Sequence, residues 1–287
     1  MPTHSSPTVK RRRLAAELRR YRDQAGLTIE DVAGRLEWSS AKISRIENAR
    51  VSVLPRDVKF LLGVYGLSQQ DDAWDLLLTL ARESRSRGWW QQYGDAVPDW
   101  FEVYVGLEAE ASAISAYDSE FVPGLLQTED YARAIHRASL FSATDEEIDR
   151  RVQVRMARQQ VLTAGSGREV WLVLNEAVIR RIVGGPAVTH GQLHRILETT
   201  SLPNVTLQVI PFAAGAHPSM DGSFILLGFP ERTDPNVVYI EYHTGALYLE
   251  KQEEVRRYTL IFDHLRAAAL PVDASQALIA TVADELA

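Results

Sequence analysis

Apolar positions Leu14, Leu18 and Tyr21 recur at helical spacing between Val9 and Gln24, and Gly26 follows as a stop signal, so the chain opens with a helix. Thr28 can cap a second helix with Asp31 three residues on, and Ile29, Val32, Ala33 and Leu36 form its buried stripe. Glu37 and Trp38 interrupt the pattern. Ser39 then caps a third helix that turns Ile43 and Ile46 inward and leaves Ser40, Ala41, Lys42, Ser44 and Arg45 on its other faces. A fourth helix is predicted from Pro55 to Tyr65, ended by Gly66; a fifth opens at Ser68 with Asp71 and Asp72 and runs through Trp74, Leu77 and Leu78 to about Arg85. Residues 1–8, rich in Pro, Ser and Thr, predict a disordered start.

Helical periodicity fades over residues 82–98, which contain Gly88, Gly94 and Pro98. This gives a helical domain at 9–85, a linker at 86–98 and a second domain at 99–287. In that second part Asp99 to Ala116 and Thr128 to Ser139 read as helices, and Thr144 with Glu147 forms a capping box for a long helix through Leu162. Glu169–Leu174, Val205–Ile210, Ser223–Leu227 and Val237–Tyr242 read as strands. Thr189 with Gln192 predicts the start of a helix to about Thr200, and Glu253 to Ala269 and Ser275 to Leu286 close the chain helically. Runs of strands beside runs of helices indicate an α+β class: an all-helical N-terminal domain followed by a larger mixed domain.

Composition narrows the chemistry. With 287 residues, 46% hydrophobic and 24% charged, the chain has an ordinary globular balance, and the absence of Cys removes disulfides, thiolate metal sites and a thiol nucleophile. No run of eighteen apolar residues occurs, and the basic N-terminus lacks an apolar segment after it. These features predict a cytoplasmic protein without membrane association. The net charge of −7 is unevenly spread: residues 1–60 carry 13 Lys+Arg against 7 Asp+Glu, while the rest carry 18 against 31. A basic head on an acidic body points to a nucleic-acid module joined to a domain with another task.

The stretch Gly26 to Arg50, GLTIEDVAGRLEWSSAKISRIENAR, places two short helices around a break of three to four residues, with the small Ala33 where they would cross. It closely resembles the lambda-repressor-like, or XRE, helix-turn-helix family, whose second helix lies in the major groove. The resemblance implies that Ser40, Ala41, Ser44 and Arg45 face base edges and that Lys42, Asn48 and Arg50 lie near phosphates. Arg45 is the strongest base reader, because a guanidinium can bond both acceptors of a guanine. The resemblance also implies that Arg22 pairs with Glu47 and positions the phosphate-facing Arg. Two departures stand out: Ile29 replaces the Gln that often opens the second helix, and Glu37 replaces the turn Gly. The Glu37 Cβ disfavours a left-handed conformation, which predicts a longer or differently shaped turn. A single such domain makes few contacts, so a homodimer on double-stranded DNA is expected.

The strings WWQQYGDAVPDWFEVYVGLEAEA (89–111), VPGLLQTEDYARAI (122–135), RRVQVRMARQQVL (150–162), LNEAVIRRIVGG (174–185) and VTLQVIPFAAGAHPSMDGSFILLGF (205–229) resemble the body domain of actinobacterial XRE regulators of the antitoxin-like, WhiJ-like type. That resemblance implies a small partner protein encoded nearby, or a small-molecule effector. Arg151, Arg155 and Arg158 share one helix face, which serves either an anion or acidic partner or simply a solvated surface. Glu108 and Glu110, two apart on a helix, do not form an adjacent carboxylate pair. The turn at Pro123–Gly124 leads to Tyr131, and Tyr131, Phe224, Tyr239 and Tyr242 either line an effector pocket or fill the core. His190, His194 and Glu198 have the spacing of a metal site, but Gly191 stands where a zinc protease carries its base, and surface histidines explain the pattern better. No nucleophile elbow appears, and Gly165–Ser166–Gly167 reads as a turn rather than a phosphate loop. The expectation is therefore a transcriptional regulator without cofactor, metal or catalytic site; an antitoxin-like protein that sequesters a partner and binds DNA for autoregulation is the alternative.

Overall fold

The computed structural model describes residues 7–85, 88–163, 167–230 and 236–287. The chain divides into two compact units, Met1–Gln91 and Gln92–Ala287. The Gly165–Ser166 part of the turn read above lies outside the described residues, as do residues 1–6 of the expected disordered start. Pro7 and Thr8, assigned to that start, are instead the first residues of a helix, and Thr8 is buried.

The first unit consists of α1 (Pro7–Gln24), α2 (Ile29–Leu36), α3 (Ser40–Glu47), α4 (Pro55–Val64) and α5 (Asp72–Glu83). Their apolar stripes, including Leu14, Leu18, Val32, Ile43, Ile46, Leu61 and Leu77, close on one core. Local chemistry sets the boundaries. Thr28 and Asp31 form a reciprocal capping box at α2, with Asp31 N donating to Thr28 Oγ1 (3.1 Å) and Thr28 N donating to the Asp31 carboxylate (2.8 Å). The Thr28 backbone N–H first, and then the Thr28 hydroxyl, hold the Asp31 carboxyl below its ordinary pKa. Ser39 caps α3 by accepting from Lys42 N.

Glu37 keeps the compact turn without glycine, contrary to the expectation of a longer one. It sits in the left-handed region (φ 53°, ψ 37°), and its neighbour's amide, Trp38 N, closes on Ala33 O at 2.9 Å. The helical unit accommodates the steric cost of that Cβ.

The second unit runs α6 (Asp99–Glu110), β1 (Ala113–Asp118), a 3-10 turn (Gly124–Leu126), α7 (Glu129–Ser139), α8 (Asp145–Arg158), α9 (Gln160–Thr163), β2 (Glu169–Asn175), α10 (Glu176–Arg180), α11 (Pro186–Thr199), β3 (Val205–Ile210), β4 (Phe224–Gly228), β5 (Val237–Tyr242), β6 (Gly245–Leu249), α12 (Gln252–Ala268) and α13 (Val272–Asp284). The strands form one sheet in the order β3-β2-β1-β4-β5-β6. β1 and β2 are parallel, as are β2 and β3, whereas β1–β4, β4–β5 and β5–β6 are antiparallel. β1 is thus the seam between a parallel and an antiparallel half. On one face Tyr117, Phe224 and Val238 pack with Phe262 and Leu265 of α12; on the other, Tyr239 meets Tyr104 of α6 with ring centroids 4.2 Å apart.

Several boundaries differ from the sequence reading, each for a physical reason. The segment read as one helix to Ala116 ends at Glu110; Ala111 turns extended, and Ala113–Asp118 becomes the seam strand because both neighbours satisfy its backbone. Thr189 is not a cap, and the last helix starts at Val272, three residues before Ser275. Helix α11 starts at Pro186 after Gly185 (φ 98°), and Thr189 bonds both backbone groups of Val183 from inside it. Ser275 Oγ accepts from Val209 N and so ties α13 to β3. Helix α8 stops at Arg158 rather than Leu162. The short α10 and the edge strand β6 carry too little periodicity to be read alone, and residues 89–96 of the expected linker form 3-10 turns kinked at Gly94.

Because a left-handed L-residue costs about 1–2 kcal/mol, and glycine returns part of that gain as unfolded-state entropy, Glu37→Gly is expected to stabilise the first unit by about 0.5–1 kcal/mol. A higher urea midpoint for the helical far-UV signal checks this; an unchanged or lower one would mean that the Glu37 conformation carries no strain.

Candidate nucleic-acid interface and a buried polar cluster

Helix α3 has an inner and an outer side. Ile43, Ile46 and Glu47 are buried, Ala41, Arg45, Asn48 and Arg50 are exposed, and Ser40, Lys42 and Ser44 are half-buried between them. The orientation of α3 is fixed at its C-terminus by an ion pair. Arg22 Nε donates to both oxygens of Glu47 (2.9 and 3.0 Å), and Tyr65 adds its hydroxyl at 3.2 Å. Arg22 Nη1 reaches Leu27 O and Asp23. The Glu47 hydrogen bond raises the Arg22 pKa, and burial with the Glu47 charge pushes the Tyr65 hydroxyl up.

The outer side chains are partly committed within the unit. Lys42 Nζ sits 3.3 Å from the centre of the Trp38 ring and 3.0 Å from Asp57, so its charge is already met by a carboxylate. Arg45 Nε donates to Ala41 O on its own helix (3.2 Å) and Asn48 folds back on Ser44 O (2.8 Å), while the Arg45 side chain lies on the exposed side. The sequence reading passed over Arg56 and Lys59, exposed cations of α4 beside Asp57.

In the second unit the three arginines of α8 do not form an open face. Arg158 is buried and makes a two-pronged pair with Glu108 (2.8 and 2.7 Å) while lying over the rings of Phe101 and Tyr104. Tyr104 donates to the same carboxylate at 2.6 Å. Burial alone would lower the Arg158 pKa, yet the Glu108 charge and hydrogen bonds raise it well above its ordinary value. Arg155 donates to Gln127 (2.7 Å), and burial, followed by the like charge of Arg158, pushes its guanidinium down to about 10. Arg151 stays half-buried. A solvent-facing anion site made of all three is therefore corrected.

The aromatic pocket is corrected as well. Tyr131, Phe224 and Tyr239 are buried, and Tyr131 accepts from Val122 N at 3.2 Å. Phe224 and Tyr239 lie on opposite faces of the sheet, because the partner of Tyr239 is Ile225, the next residue along β4. Only Tyr242 is exposed among these rings, at 50%. His190 and His194 approach at 3.1 Å, but among the described residues no three potential ligands come together.

Two buried polar atoms nearby lack protein partners among the described residues: Asp118 Oδ2, at the end of β1, and His136 Nε2 on α7. Burial, reinforced by Glu241, pushes the Asp118 carboxyl up to about 7; burial, reinforced by Arg155 and Arg151, pulls His136 down to about 3. Neither was singled out from the sequence, since only the fold makes them buried.

A family described as helix-turn-helix domain matches residues 13–74, and one described as domain of unknown function (DUF5753) matches residues 101–281. No curated protein and no solved structure shows a significant match to the chain. The helix-turn-helix suggests DNA binding and a regulator rather than an enzyme. No helix among the described residues is long and apolar enough to cross a membrane.

Removing one partner of a buried pair leaves the other uncompensated and costs about 3–5 kcal/mol, so Glu108→Ala is expected to destabilise the chain by that amount, and Glu108→Leu with Arg158→Met by distinctly less than the two single losses together. Additive losses in denaturant titrations would show that the residues do not act as a pair. Stability also depends on pH in two opposed windows. The raised Asp118 carboxyl favours the fold at low pH and loses that contribution between its ordinary 3.8 and about 7, whereas His136 contributes fully above 6.5 and loses it as pH falls towards about 3. Relative to the unsubstituted chain, Asp118→Asn should therefore gain stability as pH rises from 4 to 7, by at most about 1.4 kcal/mol per pH unit, and level off above. A stability difference independent of pH would contradict this.

Proposed function

This chain belongs to the DUF5753 family, and from that domain together with the helix-turn-helix ahead of it we propose that the protein is a sequence-specific, dimeric transcriptional regulator of the lambda-repressor-like, XRE type. The observation that carries the reading is the anchored outer side of α3. The Arg22–Glu47 pair fixes the helix from within, while Arg45 stands exposed with one bond to its own backbone. In this reading Ser40, Ala41, Ser44 and Arg45 meet base edges, Asn48 and Arg50 lie against phosphates, and Arg22 with Glu47 is a positioning pair. Lys42 acts mainly within the domain through Asp57 and Trp38 and contributes less to phosphate binding than Arg50. The basic balance of residues 1–60 supports an electrostatic footprint on DNA. Residues 99–287 supply the dimer contacts and the surface for an effector or a small partner protein.

On an operator selected from a randomised pool, log affinity is expected to fall steeply with log salt. Arg50→Ala should flatten that slope by about one, and Lys42→Ala by less. Arg45→Ala should lose about 1–3 kcal/mol on the operator and relax the preference at one base position. Equal weakening on operator and random duplex would remove Arg45 from base reading, and slopes unchanged by either substitution would remove this face from the interface.

A further inference from the structure

Asp118 Oδ2 differs from the carboxylates of Glu47, Glu108 and Glu176, the buried acids among the described residues. Glu47 and Glu108 each meet an arginine and a tyrosine hydroxyl, whereas Asp118 Oδ2 is shut off from solvent with no donor among the described residues. Its setting follows from the ladder. Tyr117 pairs with Phe224 and Ile225 with Tyr239, so continuing the register puts Asp118, Ser223 and Glu241 in one cross-strand row. Two strand spacings separate Asp118 from Glu241, roughly 10 Å between Cα atoms. Both side chains lie on the face that carries Tyr239, whose hydroxyl donates to Glu241 at 2.8 Å. The Glu241 charge acts on both Asp118 and Arg155, and the Asp118 charge acts on the Tyr131 hydroxyl.

No cation acts on Asp118 among the described residues: the charge that reaches it is that of Glu241, of like sign. An anion is disfavoured beside two carboxylates. A divalent metal would need about six oxygen ligands, and no group of three acidic or histidine side chains suited to a metal occurs among the described residues. An ammonium needs fewer acceptors, and tyrosine rings suit it. The place is also apt: β1 ends at the seam between the parallel and antiparallel halves, and ligand crevices of open sheets form outside carboxyl ends at such reversals. The row reaches solvent at Glu241, which is exposed.

We propose that the carboxyl end of β1 binds a small organic monocation through a primary ammonium group, with Asp118 as its counterion and Glu241 as its second acceptor. The inference gives a ligand class to the effector role assigned above to the second domain and rests on that reading only for its consequence on DNA.

The test uses the full-length chain and n-butylammonium chloride, with sodium n-butyrate and manganese chloride at matched ionic strength. At pH 8 n-butylammonium should give a saturable rise in Tm and a saturable calorimetric isotherm, weakened at least tenfold at pH 5, where Asp118 is protonated. Sodium n-butyrate should give neither. Asp118→Asn should abolish the response with its circular dichroism unchanged, and Glu241→Gln should weaken it several-fold. An absent response at pH 8, an equal one in both variants, or a larger saturable shift with manganese would overturn the proposal. Operator affinity is measured alongside: saturable binding that leaves it unchanged upholds the site and refutes its regulatory consequence, while loss of DNA binding altogether refutes the regulator and leaves the site intact.

Discussion

A carboxylate taken out of water costs several kcal/mol unless a cation and further donors meet it, and both units are organised around that constraint. In the first, Glu47 receives Arg22 from α1 and the Tyr65 hydroxyl from the end of α4. In the second, Glu108 receives Arg158 from α8 and the Tyr104 hydroxyl from one turn earlier on α6. Each acid therefore works as a register mark: the surrounding helices must arrive at the right rotation and height, or the charge stays unpaid. Apolar packing alone tolerates sliding by a fraction of a turn, whereas a two-pronged guanidinium pair does not.

This constraint reaches the outer surface of α3 through simple helical geometry. Glu47 is the last residue of the helix and points inward with Ile43 and Ile46, so fixing it sets the rotation of all eight residues. Arg45, two positions back, must then face away from the core. Lys42 is handled differently: Trp38 and Asp57 hold it against α4, so a cation that looks free in the sequence braces the second helix of the pair against the fourth.

What the sequence reveals follows the range of the interactions involved. The capping residues Thr28, Ser39 and Thr144 are legible because donor and acceptor lie within three residues of each other. Thr189 looks the same locally, yet its hydroxyl serves Val183, so local spacing misplaces that helix start. The face of Arg151, Arg155 and Arg158 is read correctly as a face and wrongly as a surface, since the acid that buries Arg158 lies 50 residues away. Strand β1 escapes notice because Ala113, Ser115 and Ala116 have little β preference of their own; its neighbours, not its composition, make it a strand. The helix-turn-helix is the reverse case. Its caps, its small crossing residue and its inward isoleucines are all local, which is why α1 to α5 are legible, apart from the start of α1 at Pro7 and the shape of the turn at Glu37.

Asp118 breaks the rule that Glu47 and Glu108 obey, and the exception has a thermodynamic consequence. An unmatched buried carboxylate can lower its cost by taking up a proton, which is the direction in which burial and Glu241 drive it. A cation that reached it would lower the same cost by another route, so proton and cation compete for one group, and either of them stabilises the folded unit by mass action. The paired acids offer no such choice, because their counterions are part of the chain. A fold that matches Glu47 and Glu108 internally and leaves the end of its seam strand unmatched therefore keeps an acid whose charge state depends on what surrounds it, where the parallel and antiparallel halves of the sheet meet.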